Sequence, residues 1–115
     1  MITNLLSIVA ALSLVETGND DRVVGTRGEL SRWQLMSYVR KVYPGRDWSN
    51  PNAVRPVVIT ELTKRATHFR QHTHRWPTAA EYSLLWHCPN RVSRPSHDDR
   101  DYATRVVNLA TGGAL

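Results

Sequence analysis

From Leu5 to Val15 the chain is apolar apart from Ser7 and Ser13, and the run closes on a carboxylate, Glu16. A bilayer span needs about 20 apolar residues, so this stretch is too short to cross one. It also lacks the marks of a secretory signal, because the first basic residue is Arg22 and no A-x-A-like cleavage site precedes Glu16. A buried helix over residues 3–16 is the better reading, with Thr3 or Asn4 as N-cap and Gly18 just past its end. Its apolar residues surround the axis rather than forming a stripe, which predicts a place in the centre of a core. The full chain of 115 residues predicts one domain, 1–115, with a core large enough to need no disulfide or metal staple.

The segment 17–30 changes character. Gly18, Gly25 and Gly28 lie among charged residues there, which predicts a glycine-rich loop or a small hairpin around Val23-Val24. Ser31 to Val42 reads as a second helix with Trp33, Leu35, Met36, Val39 and Val42 as its apolar positions, and Ser31 and Gln34 have capping-box spacing. Tyr43-Pro44-Gly45 ends it. Asn50-Pro51 opens a long third helix in cap-then-proline order, running to about His74, and Pro56 is expected to shorten or kink its first turn. Trp76-Pro77 separates it from a fourth helix over about 78–88, where Thr78 and Glu81 form a second capping-box pair. After a polar loop from Asn90 to Pro95, a last helix starts near Ser96, with Asp98, Asp99 and Asp101 suited to its positive end, and it stops before Gly112-Gly113. The predicted class is mainly α, with about five helices.

Lys and Arg together number 15 against 10 Asp and Glu, a net charge of +5, and Lys41 and Lys64 are the only lysines. This arginine-rich excess points to an anionic partner. Lys64, Arg65, Arg70 and Arg75 are candidates for a phosphate-contacting face, which keeps a basic helical nucleic-acid-binding domain as an alternative. Against it, the arginines are dispersed along the chain rather than gathered on one recognition helix, and nucleic-acid reading leaves the carboxylate at the end of the most apolar helix unexplained. Cys88 is the only cysteine, which excludes a disulfide framework and any multi-cysteine metal site. His68 and His72 stand four apart on the long helix, but the run lacks the glutamate of a zinc-protease helix and has Arg70 and Arg75 beside it. No phosphate-binding or dinucleotide-binding glycine motif occurs. Neither a metal nor a cofactor is expected.

Glu16 is the polar exception of the first helix. Desolvation and the negative end of the helix dipole both disfavour a charged carboxylate there. A carboxyl held protonated near neutral pH is what a general acid acting on a glycosidic oxygen requires. The residues from Glu16 to Gln34 resemble, without a gap, the first motif of the soluble lytic transglycosylase family, E-S-x-x-N-P-x-x-x-S-P-x-G-A-x-G-L-M-Q. Glu16 lies on the family's catalytic Glu, Gly28 on its first motif Gly and Gln34 on its terminal Gln. Thr17 stands for Ser, Asp20 for Asn, Gly25-Thr26 for Ser-Pro, and Ser31-Arg32-Trp33 for Gly-Leu-Met. Later in the chain Leu85-Trp86-His87-Cys88-Pro89-Asn90-Arg91-Val92 is similar to the family's A-Y-N-A-G-P-G-R-V, one residue shorter, and Tyr102-Ala103-Thr104-Arg105-Val106 is similar to its Y-V-x-x-V.

This resemblance implies a lysozyme-like domain that cleaves the MurNAc–GlcNAc bond of peptidoglycan glycan strands outside the cytoplasm, in the periplasm, the cell wall or a phage particle, as a monomer. Glu16 would be the single acid/base, closing a 1,6-anhydro ring on the sugar's own hydroxyl. Gln34, Trp86, His87 and Tyr102 would bind substrate. A facing carboxylate among Asp20, Asp21 and Glu29 would instead imply a hydrolytic, lysozyme-like muramidase. An inactive lysozyme-like module that only binds glycan, or that serves as a structural part of a phage or secretion assembly, is the remaining alternative.

Overall fold

The computed structural model describes residues 5–112. Five helices follow one another as α1 (Leu5–Thr17), α2 (Ser37–Val42), α3 (Pro51–Thr73), α4 (Ala79–His87) and α5 (His97–Ala110), with a 3-10 turn at Pro89–Arg91 before α5. The mainly-α class is therefore the one observed. The expected caps Thr3 and Asn4, and Gly113, lie outside the described residues. No helix among the described residues is long and apolar enough to cross a membrane.

α5 packs against both α1 and α4, and α3 closes the other side of the same two helices. Between them lies one main core. It is made of Ile8, Val9 and Leu12 from α1, Val54, Val57, Val58 and Leu62 from α3, Leu85 and Trp86 from α4, and Tyr102 and Val106 from α5. Burying each large apolar side chain contributes about 1.5–3 kcal/mol, and this rather than helix propensity holds α1, which has no charged residue before Glu16, in place.

α1 is less central than its composition suggests. Leu6 and Leu14 are 58% and 44% exposed, so one side of the helix faces water. A run that is apolar all round carries no stripe, and which side is covered is decided by where α3, α4 and α5 sit.

The second helix is much shorter than its apolar spacing predicts. It begins at Ser37, and Leu30 and Leu35 instead form an antiparallel bridge, with Leu30 N–H donating to Leu35 O at 3.1 Å and Leu35 N–H to Leu30 O at 2.7 Å. Ser31 (φ 72°) and Gln34 (φ 55°) are both left-handed, which a helix does not allow. The expected capping box is thus absent: the Ser31 hydroxyl accepts from Trp33 N–H at 3.0 Å, one residue short of the capping position. Trp33 decides the outcome. Its ring is 1% exposed and its indole N–H donates to the Val9 carbonyl at 2.8 Å, and a tight turn is needed to drive it inward. The bridge also falls at residues 30–35 rather than around Val23-Val24, both of which are exposed.

The other starts follow their caps. Asn50 accepts from Asn52 N–H at 3.0 Å with Pro51 behind it, and α3 ends on left-handed His74. Pro56 does not shorten α3, which runs on to Thr73. The carbonyl deprived of a donor belongs to Asn52, which is exposed to water. Thr78 and Glu81 complete both halves of the α4 capping box, and Ser96 and Asp99 do the same for α5.

Candidate active site

Glu16 occupies the last turn of α1, where the chain must stop and fold back. Gly18 and Asn19 are left-handed (φ 65° and 66°), and their amides donate to Leu14 O at 2.9 Å and Ser13 O at 3.2 Å. The buried Ser13 hydroxyl hydrogen-bonds the Asn19 side chain. Thr17 then ties the returning loop to the helix end: its hydroxyl donates to Arg32 O at 2.9 Å and accepts from Asp20 N–H at 3.1 Å.

The Glu16 side chain is 17% exposed, and its Oε2 accepts a 2.6 Å hydrogen bond from the Tyr102 hydroxyl of α5. Burial, reinforced by the adjacent Glu16 charge, pushes the Tyr102 phenol well above its usual range, so it remains a neutral donor. The His87 ring, at the end of α4, stacks on Tyr102 with centroids 3.9 Å apart and planes 15° apart. His87 Nδ1 lies 3.9 Å from Glu16 Oε2, and Nε2 lies 3.8 Å from Asp99 Oδ1. Both separations exceed a hydrogen bond, so His87 stands between two carboxylates without being bonded to either.

The two carboxylates differ in kind. Asp99 accepts from Arg91 Nε at 2.8 Å and Arg91 Nη2 at 2.9 Å, and from Ser96 N–H at 2.9 Å. Arg91 first, and then the Ser96 amide, hold its carboxyl well below the usual carboxylate range. Asp99 is fixed as an anion. Among the described residues no Lys or Arg pairs with Glu16, in contrast to Asp99. Cys88, next in the chain, is buried, and desolvation with the nearby Asp99 charge pushes its thiol up to about 11. It is an inert thiol at neutral pH.

Gln34, Trp86 and His87 come together in the lining of an open cleft of about 230 Å³ beside this cluster. Glu16 and Tyr102 do not line it. Trp86 is mostly core, 9% exposed, and its indole N–H donates to Trp33 O at 3.1 Å. Gln34 braces the loop from inside, donating through Nε2 to Val23 O and Ser31 O, both at 3.0 Å. Its Oε1 packs so closely on Gly25 that a Cβ there would come within 2.5 Å. Tyr102 is 7% exposed and directs its hydroxyl at Glu16 rather than into the cleft.

The loop carboxylates are engaged locally. Asp20 pairs with Arg22, Asp21 with Arg32 at 2.9 Å, and Glu29 accepts from Arg27 N–H at 2.8 Å. No group of His, Cys, Asp and Glu suited to a metal occurs among the described residues. Sequence reasoning missed Asp99 and Arg91. The Ser96-x-x-Asp99 spacing was sufficient to assign Asp99 to a cap, but nothing in it places that carboxylate against His87. No protein family, curated protein or solved structure matches the chain.

Proposed function

We propose that this domain cleaves peptidoglycan glycan strands by lytic transglycosylation, with Glu16 as the acid/base. The observation that carries the reading is the Glu16 cluster: a largely buried carboxyl at the end of an apolar helix, oriented by Tyr102 and paired with no Lys or Arg among the described residues. The backbone adds support. Two positions where the family motif has Gly fall on Gly28 (φ 79°) and Ser31 (φ 72°), both left-handed, the conformation for which glycine is otherwise selected. The observed turns therefore agree with a motif aligned on letters alone.

In this reading protonated Glu16 gives its proton to the glycosidic oxygen as the C1–O bond of the muramyl sugar breaks. The resulting carboxylate then takes the proton of that sugar's C6 hydroxyl as O6 bonds to C1, which closes the anhydro ring and restores the acid. One carboxyl serves both steps, in keeping with the local engagement of Asp20, Asp21 and Glu29. The work would be done outside the cytoplasm, where the polymer is.

Glu16→Gln is expected to keep the fold and to reduce clearing of purified cell walls by about 10²- to 10⁴-fold, the range of general acid–base contributions. A variant that clears walls as fast as the parent refutes the reading. Mass spectrometry of released muropeptides separates the chemistries, since an anhydro product is one water lighter than a hydrolytic one.

A further inference from the structure

The cleft beside His87 has a charge pattern that the cutting of a neutral sugar bond does not call for. Arg27, Arg65 and Arg91 line it, and no Asp or Glu does. The guanidiniums are not equivalent. Arg65 is part of the wall: it bonds Glu61 Oε2 at 3.1 Å and Leu85 O at 2.7 Å and is 14% exposed. Arg91 is held by Asp99 through Nε and Nη2, yet its side chain is 56% exposed and Nη1 is left for an outside acceptor. Arg27 is exposed, and among the described residues its side chain has no hydrogen bond or ion pair; only its backbone amide is engaged, by Glu29. The amides of Gln34 and Asn90 stand in the same lining.

We infer that this cleft binds a carboxylate on the peptide stem of the glycan strand, with Arg27 and Arg91 as its cationic ligands. The inference rests on the wall-cleaving reading and adds a substrate preference to it: strands carrying peptide over bare strands. An aligned guanidinium recognises a carboxylate by paired N–H donors, and Arg91, oriented by Asp99, is already ordered for that. The stem springs from the lactyl ether of the muramyl sugar, so a strand with its scissile bond at Glu16 carries a stem close by, and His87 joins the two sites. Phosphate polymers are the other source of anions in a wall. A phosphate on the muramyl C6 oxygen removes the hydroxyl that ring closure consumes, which favours the carboxylate.

The experiment uses the full chain bearing Glu16→Gln, so that binding is read without cutting. Its binding to three polymers immobilised on the same support is compared: peptide-bearing glycan strands, strands stripped of stems by an amidase with the freed lactyl carboxylates capped as amides, and such stripped strands carrying a phosphate polymer. Peptide-bearing strands are expected to bind about two- to fivefold tighter than stripped strands, the scale of a partly exposed ion pair, and added salt should erase the difference. Adding Arg27→Ala should abolish the preference while leaving binding to stripped strands unchanged. Equal binding to peptide-bearing and stripped strands overturns the inference, as does an Arg27→Ala protein that keeps the preference. Tighter binding to the phosphate-carrying strands than to the peptide-bearing strands overturns it in favour of phosphate. Failure here leaves the clearing result for Glu16→Gln untouched, and an active Glu16→Gln leaves the binding preference standing, so the two failures are distinguishable.

Discussion

The Tyr102 hydroxyl and the Glu16 carboxylate meet at 2.6 Å, joining α5 to the end of α1 across 86 residues of chain. The phenol is buried and kept neutral, so it keeps the hydrogen that it donates to the carboxylate. Its bond engages Oε2.

Removing that donor should therefore cost activity without unfolding the protein. Tyr102→Phe keeps the ring that packs on His87 and Val106's neighbours in the core, and loses only the hydroxyl. Wall clearing is expected to fall about tenfold to a hundredfold, the equivalent of one hydrogen bond to a charged group, with the circular dichroism spectrum unchanged. Undiminished clearing would mean that Tyr102 is only a packing residue.

How much of this was legible beforehand depends on whether a signal was local. The caps of α3 and α4 were, because Asn50-Pro51 and Thr78…Glu81 act within one helical turn. Ser31…Gln34 has the same capping-box spacing and misleads, because the burial of Trp33 against α1 goes with left-handed turns that the capping spacing does not reveal. Glu16 was legible as the odd carboxylate in an apolar run. Its partners were legible as candidates, since Tyr102 and His87 lie in the stretches that resemble the transglycosylase motifs, but not in their roles. That Tyr102 serves Glu16, that His87 lies against Asp99, and that Gln34 holds the loop all depend on how α4 and α5 pack.

Gly25 tests the role given to Gln34. A Cβ at Gly25 would come within 2.5 Å of both Gln34 Oε1 and Glu29 Oε1. Both are ends of flexible side chains that can swing away, so Gly25→Ala should change stability by less than about 1 kcal/mol. The displaced Gln34 would release Val23 O and deform the loop beside Glu16. Clearing activity should therefore drop while the melting temperature scarcely moves. A parallel loss of both would show that Gly25 matters to the fold rather than to the site.

Acid should weaken the fold through Asp99. Its carboxyl is depressed by Arg91, so it contributes stability that is fully present above the ordinary aspartate value of about 4 and is lost as pH falls toward the depressed value. Asp99→Asn removes the titrating charge but keeps a side-chain carbonyl at the α5 cap. Urea midpoints should separate parent and variant clearly at pH 7, with the parent the more stable, and the gap should narrow by pH 3. An equal gap at both values would place the contribution in packing instead of the ion pair.

Trp33 links the site to the core in both directions. Its indole N–H holds Val9 O of α1, and its own carbonyl receives the indole N–H of Trp86 from α4. The 30–35 turn is thus clamped between two helices by two indoles. Trp33→Phe releases the α1 side and Trp86→Phe the α4 side, and each is expected to cost about 1–3 kcal/mol, the penalty for losing one partner of a buried polar group. Because both bonds position the same turn, once either is cut the turn relaxes and the other holds less. Denaturant unfolding of the two single variants and the double variant should therefore show less than additive loss, with a coupling of at least about 0.5 kcal/mol. Additive losses would mean that each tryptophan fills its own part of the core, and that the turn bearing Gln34 does not depend on their pairing.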